Sequence, residues 1–418
     1  MDTLSEQFIN GSIQECVHIN ADFKIGCLEW VDDVLTCTTG KKNQQNILNK
    51  VDDFAKANKL EWGSEKCQVM QVGKKVQVPE KWSLGEIQIT NTTSYKYLGD
   101  VITNDGKNEK NITARENKLH GIIRQINTSA SSDVMRGIQT KVILDLYNVR
   151  ILPSLLNNAE SWTLTNKDEQ RLDSIGIRAM KRLFGLPTTS PNVAVIFSFG
   201  LLYITQEIDK KRFIFLHKML NSENEKWALK MMIHLKDQNS GWAKNIMEKL
   251  AEYNLTTDWE IIKNMTINQW KEKVKKAVLK KNGEKLIMNC TTECNGETKI
   301  NTKTRHIHKK LTTEMYTAAP IKTIVMGDKQ WARTIFLSQN HMLECGKNLK
   351  STRDENCYKC HVLDDEKHRL NVCKEWNDEI STVEFDDIYS DDIDKVEQIV
   401  AEIEKKWEIR FANGRMKK

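Results

Sequence analysis

The sequence predicts an α+β protein: a small sheet with helices, then a mostly helical body, then a small zinc element. Three observations carry that reading. Short β-prone runs bounded by turn residues fill residues 1–108, apolar residues recur at helical spacing from residue 109 onward, and Cys357, Cys360, His368 and Cys373 stand together near the C-terminus. The helical body divides at residue 222, within a Lys-, Asn- and Trp-rich stretch from Thr205 to Cys345. A less defined helical connector over 223–344 then precedes the metal element at 345–376 and an acidic linker with a closing helix at 377–418.

The first element is a strand–turn–strand around Trp30-Val31-Asp32-Asp33-Val34. Ile25, Leu28, Trp30 and Val31 lead in, Val34, Leu35 and Cys37 lead out, and burying these flanks would leave two adjacent carboxylates at the bend. Such a pair suits a divalent cation that meets a phosphate, because Mg²⁺ takes oxygen ligands and keeps some of its waters. It equally suits a polar turn. Ile47, Leu48, Val51, Phe54 and Ala55 then mark an amphipathic helix, and Lys66 precedes a short apolar strand after Leu60-Glu61-Trp62-Gly63. A solvated lysine is the plain reading of Lys66. A hairpin-like stretch with Ile87 and Ile89 leads to Tyr95-Lys96-Tyr97-Leu98-Gly99-Asp100-Val101-Ile102, where Gly99 fits either a bulge or a close backbone approach.

From residue 109 the period is helical. Val134, Ile138, Val142, Leu146 and Val149 outline one helix face, and Leu172, Ile175, Ala179, Met180 and Leu183 another. On the second helix Arg171, Arg178, Lys181 and Arg182 cluster opposite the apolar stripe, and Gly185-Leu186-Pro187 is a stop signal. A basic face of this kind is by default solvated surface. A further basic helix contains Lys210-Lys211-Arg212, and helices are expected around 227–233, 242–253 and 259–278. Trp270 and Trp331 suit a core better than base stacking. Cys290, Cys294, His306 and His308 could in principle hold a metal, but Asn295-Gly296 and their polar setting read as a turn.

The Cys-x2-Cys-x7-His-x4-Cys spacing of Cys357, Cys360, His368 and Cys373 supplies the thiolate and imidazole set that tetrahedral Zn²⁺ takes, with Trp376 beside it. The charge balance is modest, +6 over 418 residues, so nucleic-acid binding requires basic residues gathered on one surface. Lys271, Lys273, Lys275, Lys276, Lys280 and Lys281 form one such run and 305–310 another, while Asp378 to Asp394 turn the chain acidic. That acidic stretch reads as a spacer before a helix with Ile399, Val400, Ile403 and Trp407. Scattered cysteines fit a reducing compartment, and the absence of a signal peptide or long apolar run predicts an intracellular protein of nucleus or cytoplasm without a membrane partner.

Taken in order, these segments resemble the reverse transcriptases of non-long-terminal-repeat retrotransposons. The likeness runs from Trp30-Val31-Asp32-Asp33, with Trp where the family has Tyr or Phe, through Lys66 and Tyr97-Leu98-Gly99 to Leu152-Pro153-Ser154-Leu155-Leu156-Asn157-Asn158. The Cys/His cluster resembles the CCHC element downstream of the enzyme in that class. The resemblance implies a partial polymerase palm over 1–108 with Asp32 and Asp33 as Mg²⁺ ligands, Asp32 the more important. It implies Lys66 as general acid, Leu98 and Gly99 at the primer, and a thumb over 109–222 whose Arg171, Arg178, Lys181 and Arg182 track an RNA template and DNA primer or an RNA–DNA hybrid. It also implies missing parts. About thirty residues precede Asp32, and Asp2 and Asp22 fall in no matching motif, so the third catalytic Asp, the fingers and the nucleotide pocket are expected to be absent. The expectation is a truncated RNA-directed DNA polymerase without activity of its own, or a catalytically inactive nucleic-acid-binding protein that uses the thumb and zinc element.

Overall fold

The computed structural model describes residues 16–20, 24–73, 81–129, 138–222, 226–294, 297–314, 316–318, 321, 324, 329–340, 342, 360, 363, 365–372 and 383–411. They form an α+β structure of small sheets and many helices, divided into two compact units at Met1–Asn111 and Ile112–Lys418. No helix among the described residues is long and apolar enough to cross a membrane.

In the first unit, β1 (Val17–His18) pairs with β2 (Lys24–Ile25), and β3 (Cys27–Trp30) with β4 (Asp33–Thr36), both antiparallel. Helix α1 (Lys41–Ala57) buries Ile47, Leu48, Val51, Phe54 and Ala55, the set its period predicts. They pack on Val69, Trp82, Leu84 and Ile89 of a three-stranded sheet ordered β5 (Val69–Met70), β7 (Ile87–Thr92), β6 (Lys81–Leu84). The Gln45 amide donates to the Ser83 carbonyl at 2.8 Å and its oxygen accepts from Ser83 N at 3.1 Å, which fixes helix to sheet. A last hairpin joins β8 (Ser94–Tyr97) to β9 (Asp100–Thr103).

The second unit is helical. Helix α2 (Glu109–Ser129) contributes Ile112, Leu119 and Ile123 to a core shared with α5 (Asn166–Leu183), α6 (Asn192–Ser198) and the first turns of α7 (Ile204–Leu220). The anticipated stripe of α5 is buried throughout, its start closed by a Thr165–Asp168 capping box and its end by Gly185 at φ 60°, as the stop signal requires. Between α2 and α5 the reading of the helix face is corrected. Helix α3 (Thr140–Leu146) runs through a wide turn at Tyr147–Ile151 into α4 (Leu152–Leu156), and Val142 and Val149 face solvent. Thr140, Ile143, Leu144, Tyr147 and Ile151 are buried instead: they keep the helical period but form a different face from the expected one. Val134 lies outside the described residues.

A second core gathers Phe213 and Leu216 of α7 with α8 (Lys226–Asp237), α9 (Gly241–Glu252), α10 (Trp259–Asn264) and α11 (Ile267–Asn289). The single helix expected over 259–278 is two, because Met265 is extended and Thr266 caps a new helix through Gln269. Trp270 is fully buried, as anticipated, and donates Nε1–H to the Phe213 carbonyl at 2.8 Å. A β10–β11 hairpin (Thr291–Cys294, Glu297–Ile300) leads to α12 (Arg305–Thr313) and α13 (Lys329–Gln339). Helix α14 (Ile393–Phe411) returns Val396, Ile399, Val400 and Ile403 to the first core. The acidic stretch before it is more than a spacer: Phe385 and Ile388 are buried in a short 3₁₀ turn while Asp386 stays outside.

Candidate functional site

Three segments far apart in sequence converge in the first unit. In the β3–β4 hairpin Trp30 pairs with Asp33, so Val31 and Asp32 form a two-residue loop. Val31 carries φ 57°, a conformation a β-branched side chain rarely adopts, and strain of about 1–3 kcal/mol is typical for such a residue. The flanks are not buried as the sequence suggested. Leu28, Trp30 and Val31 are 44%, 64% and 77% exposed, because a hairpin sheet of two strands covers only one of its faces.

The β8–β9 hairpin also has a two-residue loop, but with positive φ at both positions, Leu98 at 46° and Gly99 at 90°, between Tyr97 and Asp100. Positive φ at both central residues is the turn that suits the twist of paired strands, and it places glycine at its second position. Tyr95 donates its hydroxyl to the Lys66 carbonyl at 2.9 Å, which ties β8 to the turn that closes from Gly63 to Lys66. Burial, followed by the nearby Asp33 carboxylate, pushes both Tyr95 and Tyr97 above the ordinary phenol value. Asp33, Lys66 and Tyr97-Leu98-Gly99 therefore share one neighbourhood. Cys27 and Cys37 border it with thiols held protonated by burial, Cys27 pushed up to about 12.

This neighbourhood falls short of a two-metal centre. Asp32 stands in the turn and Asp33 opens β4, both are exposed, and no group of three ligating side chains able to hold a metal occurs among the described residues. Lys66 is exposed, and its ammonium has no ion-pair partner among the described residues.

The basic face of α5 is built differently from a solvated surface. Arg171 and Arg178 close on the two oxygens of Glu116 at 3.0 and 2.6 Å. Burial opposes ionisation of Glu116, but the two guanidinium hydrogen bonds outweigh it and hold the carboxyl below its usual range. Lys181 is buried, donating to the Thr188 and Ser190 carbonyls at 3.0 and 2.6 Å and to Asn192 Oδ1 at 2.8 Å, and desolvation lowers its pKa. Of the four residues placed on one exposed basic face, Lys181 is thus inside and Arg182 is exposed.

Near the C-terminus the structure brings Cys360 and His368 together, Sγ to Nε2 at 3.1 Å. Tetrahedral Zn²⁺ holds sulfur and nitrogen ligands ~3.6 Å apart, so this pair needs little movement to ligate. Cys357 and Cys373 lie outside the described residues, as does Trp376. Asp365 accepts from the His368 backbone N–H at 2.8 Å, and Asn371 is tied to Val383 and Phe385, so the imidazole is presented from a fixed turn. Cys290 is fully buried at the end of α11, which disfavours an open second metal site with His308.

The sequence reading missed a buried ionic cluster. Arg212, one of the three basic residues that seemed to make a basic helix, is fully buried against Asp209 at 3.2 Å and also donates to the Trp162 carbonyl. Tyr253 donates to the other Asp209 oxygen at 3.0 Å, and Lys249 stands near, paired with Glu169. Burial outweighs these cations and pushes Asp209 up to about 6. The available signal was Asp209 three residues before Arg212 on the same helix. No family model and no curated protein matches this chain.

Proposed function

We propose that the chain is the C-terminal part of a reverse transcriptase of the non-long-terminal-repeat retrotransposon type, which holds an RNA template and DNA primer but does not extend the primer by itself. One observation carries the reading. The Asp32-Asp33 hairpin, the Lys66 turn and the Leu98-Gly99 hairpin meet in space although about thirty residues separate each from the next. In this assignment Leu98 and Gly99 bring backbone to the primer end and Lys66 faces the departing pyrophosphate. Asp32 and Asp33 would hold Mg²⁺ only beside a further carboxylate, which the described residues lack. The thumb would contribute Arg171, Arg178 and Arg182, with Lys181 of the expected set held inside by its three oxygen acceptors, and Zn²⁺ would be held by Cys357, Cys360, His368 and Cys373. The exposed Asp pair without a third ligand favours the second reading, a catalytically inactive nucleic-acid-binding protein, wherever extension is absent.

The test is binding and extension by purified chain that carries one zinc per molecule. An RNA–DNA hybrid should bind with steep salt dependence, and Gly99→Val should weaken that binding, since valine resists φ 90°. Primer extension with Mg²⁺ or Mn²⁺ should be undetectable. Extension abolished by Asp32→Asn would overturn the inactive assignment, and hybrid binding indifferent to Gly99→Val would remove the palm from it.

A further inference from the structure

We propose that the lysine face of α11 is a phosphate-tracking surface for nucleic acid, and that it carries more of the non-specific binding than the arginine face of α5. The inference rests on the nucleic-acid reading above but uses other residues. Between Lys263 and Lys281 stand seven lysines against one glutamate, a net charge equal to the +6 of all 418 residues. The surplus of the whole chain is thus matched on one short stretch, as a polyanion surface requires.

The structure keeps that charge available. Lys271, Lys273, Lys275 and Lys280 are exposed and have no ion-pair partner among the described residues. Lys276 and Lys281 are partly neutralised, by Glu272 at 3.8 Å and by Glu252 and Glu284 at 3.7 and 3.9 Å. The helix beneath is rigid, 23 residues long, capped by Thr266 and anchored in the second core by Trp270, Val274 and Val278. The four free ammonium groups fall along ~14 Å of helix axis in two pairs, Lys271 with Lys275 on one edge of the solvent-facing arc and Lys273 with Lys280 on the other, so they would meet phosphates on both sides of the helix. Lysine presents a point charge without the fork that reads bases, so this surface binds without sequence preference.

An anionic membrane offers the same charge, but an interfacial helix must also sink an apolar face into the lipid. On α11 that face is already covered: Trp270, Val274, Val278 and Leu286 lie in protein cores. Nucleic acid therefore fits the face better than lipid.

The deciding experiment measures the binding of labelled RNA–DNA hybrid, single-stranded RNA and duplex DNA to the full chain across a salt series. The variants are Lys271→Gln/Lys273→Gln/Lys275→Gln/Lys280→Gln and, separately, Arg178→Gln/Arg182→Gln. Each released counterion contributes about 0.9 to the slope of log K against log salt on a duplex and about 0.7 on a single strand, so the four-lysine variant should lose roughly three and a half units on the hybrid and duplex DNA and about three on single-stranded RNA. The arginine variant should lose less. A slope unchanged in the four-lysine variant while the arginine variant flattens it would overturn the inference and leave the function intact. So would wild-type chain that binds no nucleic acid, or that binds phosphatidylserine vesicles more tightly than RNA through the same lysines. The reverse failure is also visible: lysine-dependent binding that Gly99→Val leaves untouched sinks the palm assignment and keeps the surface. An unaltered urea midpoint establishes that the variant is folded.

Discussion

Helices α5 and α11 look alike in sequence, each with an apolar stripe and a cluster of basic residues, yet the structure treats their charge in opposite ways. On α5 the cations are absorbed: two arginines share Glu116, and Lys181 is sealed by three oxygen acceptors. On α11 four lysines stay exposed, with no partner among the described residues. The difference comes from the neighbours. Glu116 reaches α5 from more than fifty residues upstream and the acceptors of Lys181 come from the loop after the helix and the start of α6, whereas the acids near α11 engage Lys276, Lys281 and Lys285 and leave the four others. Counting charge on a helix therefore says little about binding until the acids that close on it are known.

The largest effect that tests this contrast is on stability. Lys181→Met removes the ammonium and leaves two carbonyls and an amide oxygen without their donor, so unfolding in urea should lose about 2 kcal/mol. The slope of nucleic-acid binding against salt should not change. If stability held and the slope flattened instead, Lys181 would be a phosphate contact and the two helices would be alike after all.

Glu116→Gln is the intermediate case. The carboxylate is largely buried but Arg178 is about half exposed, so solvent screening holds the expected loss near 1 kcal/mol. The sign with pH follows from a folded pKa below the unfolded value: the contribution is fully present above the ordinary glutamate range and fades as pH falls through the folded value. Wild type and variant should therefore differ at neutral pH and converge in acid. With its counter-charge gone, the Arg171–Arg178 pair becomes free for phosphate, and the salt slope should steepen by about one unit. No change in slope would place the α5 face away from the nucleic acid.

What the sequence made legible follows the same division. Periodicity located the buried stripes of α1 and α5 residue by residue, because apolar burial is written in spacing alone. It failed at Val142 and Val149, because the buried residues Thr140, Ile143, Leu144, Tyr147 and Ile151 hold the same period on another face, and spacing alone does not say which face turns inward. It failed again at Lys181 and Arg212, since a buried cation differs from an exposed one only through acceptors remote in the chain. At the candidate site the hairpin around the Asp pair was legible, though its turn is Val31-Asp32 and Asp33 belongs to the strand; the Leu98-Gly99 turn was read as a bulge or close approach, and the meeting of Asp33, Lys66 and Tyr97 is a tertiary fact that no local pattern contains.

The smallest predicted effect is the most diagnostic of α11. Lys271 and Lys275 stand four residues apart on an exposed helix surface, and like charges at that spacing repel by roughly 0.2–0.5 kcal/mol. Glutamine has nearly the helix propensity of lysine, so Lys275→Gln removes the repulsion and little else. The variant should therefore be slightly more stable than wild type in low salt, with the gain vanishing at high ionic strength as the repulsion is screened. A loss of stability would mean that Lys275 is held in a structural contact, as Lys181 is, and the surface would shrink to the remaining lysines. A small gain in stability together with weaker nucleic-acid binding is the signature of charge kept at some cost to the fold, which solvated decoration alone would not produce.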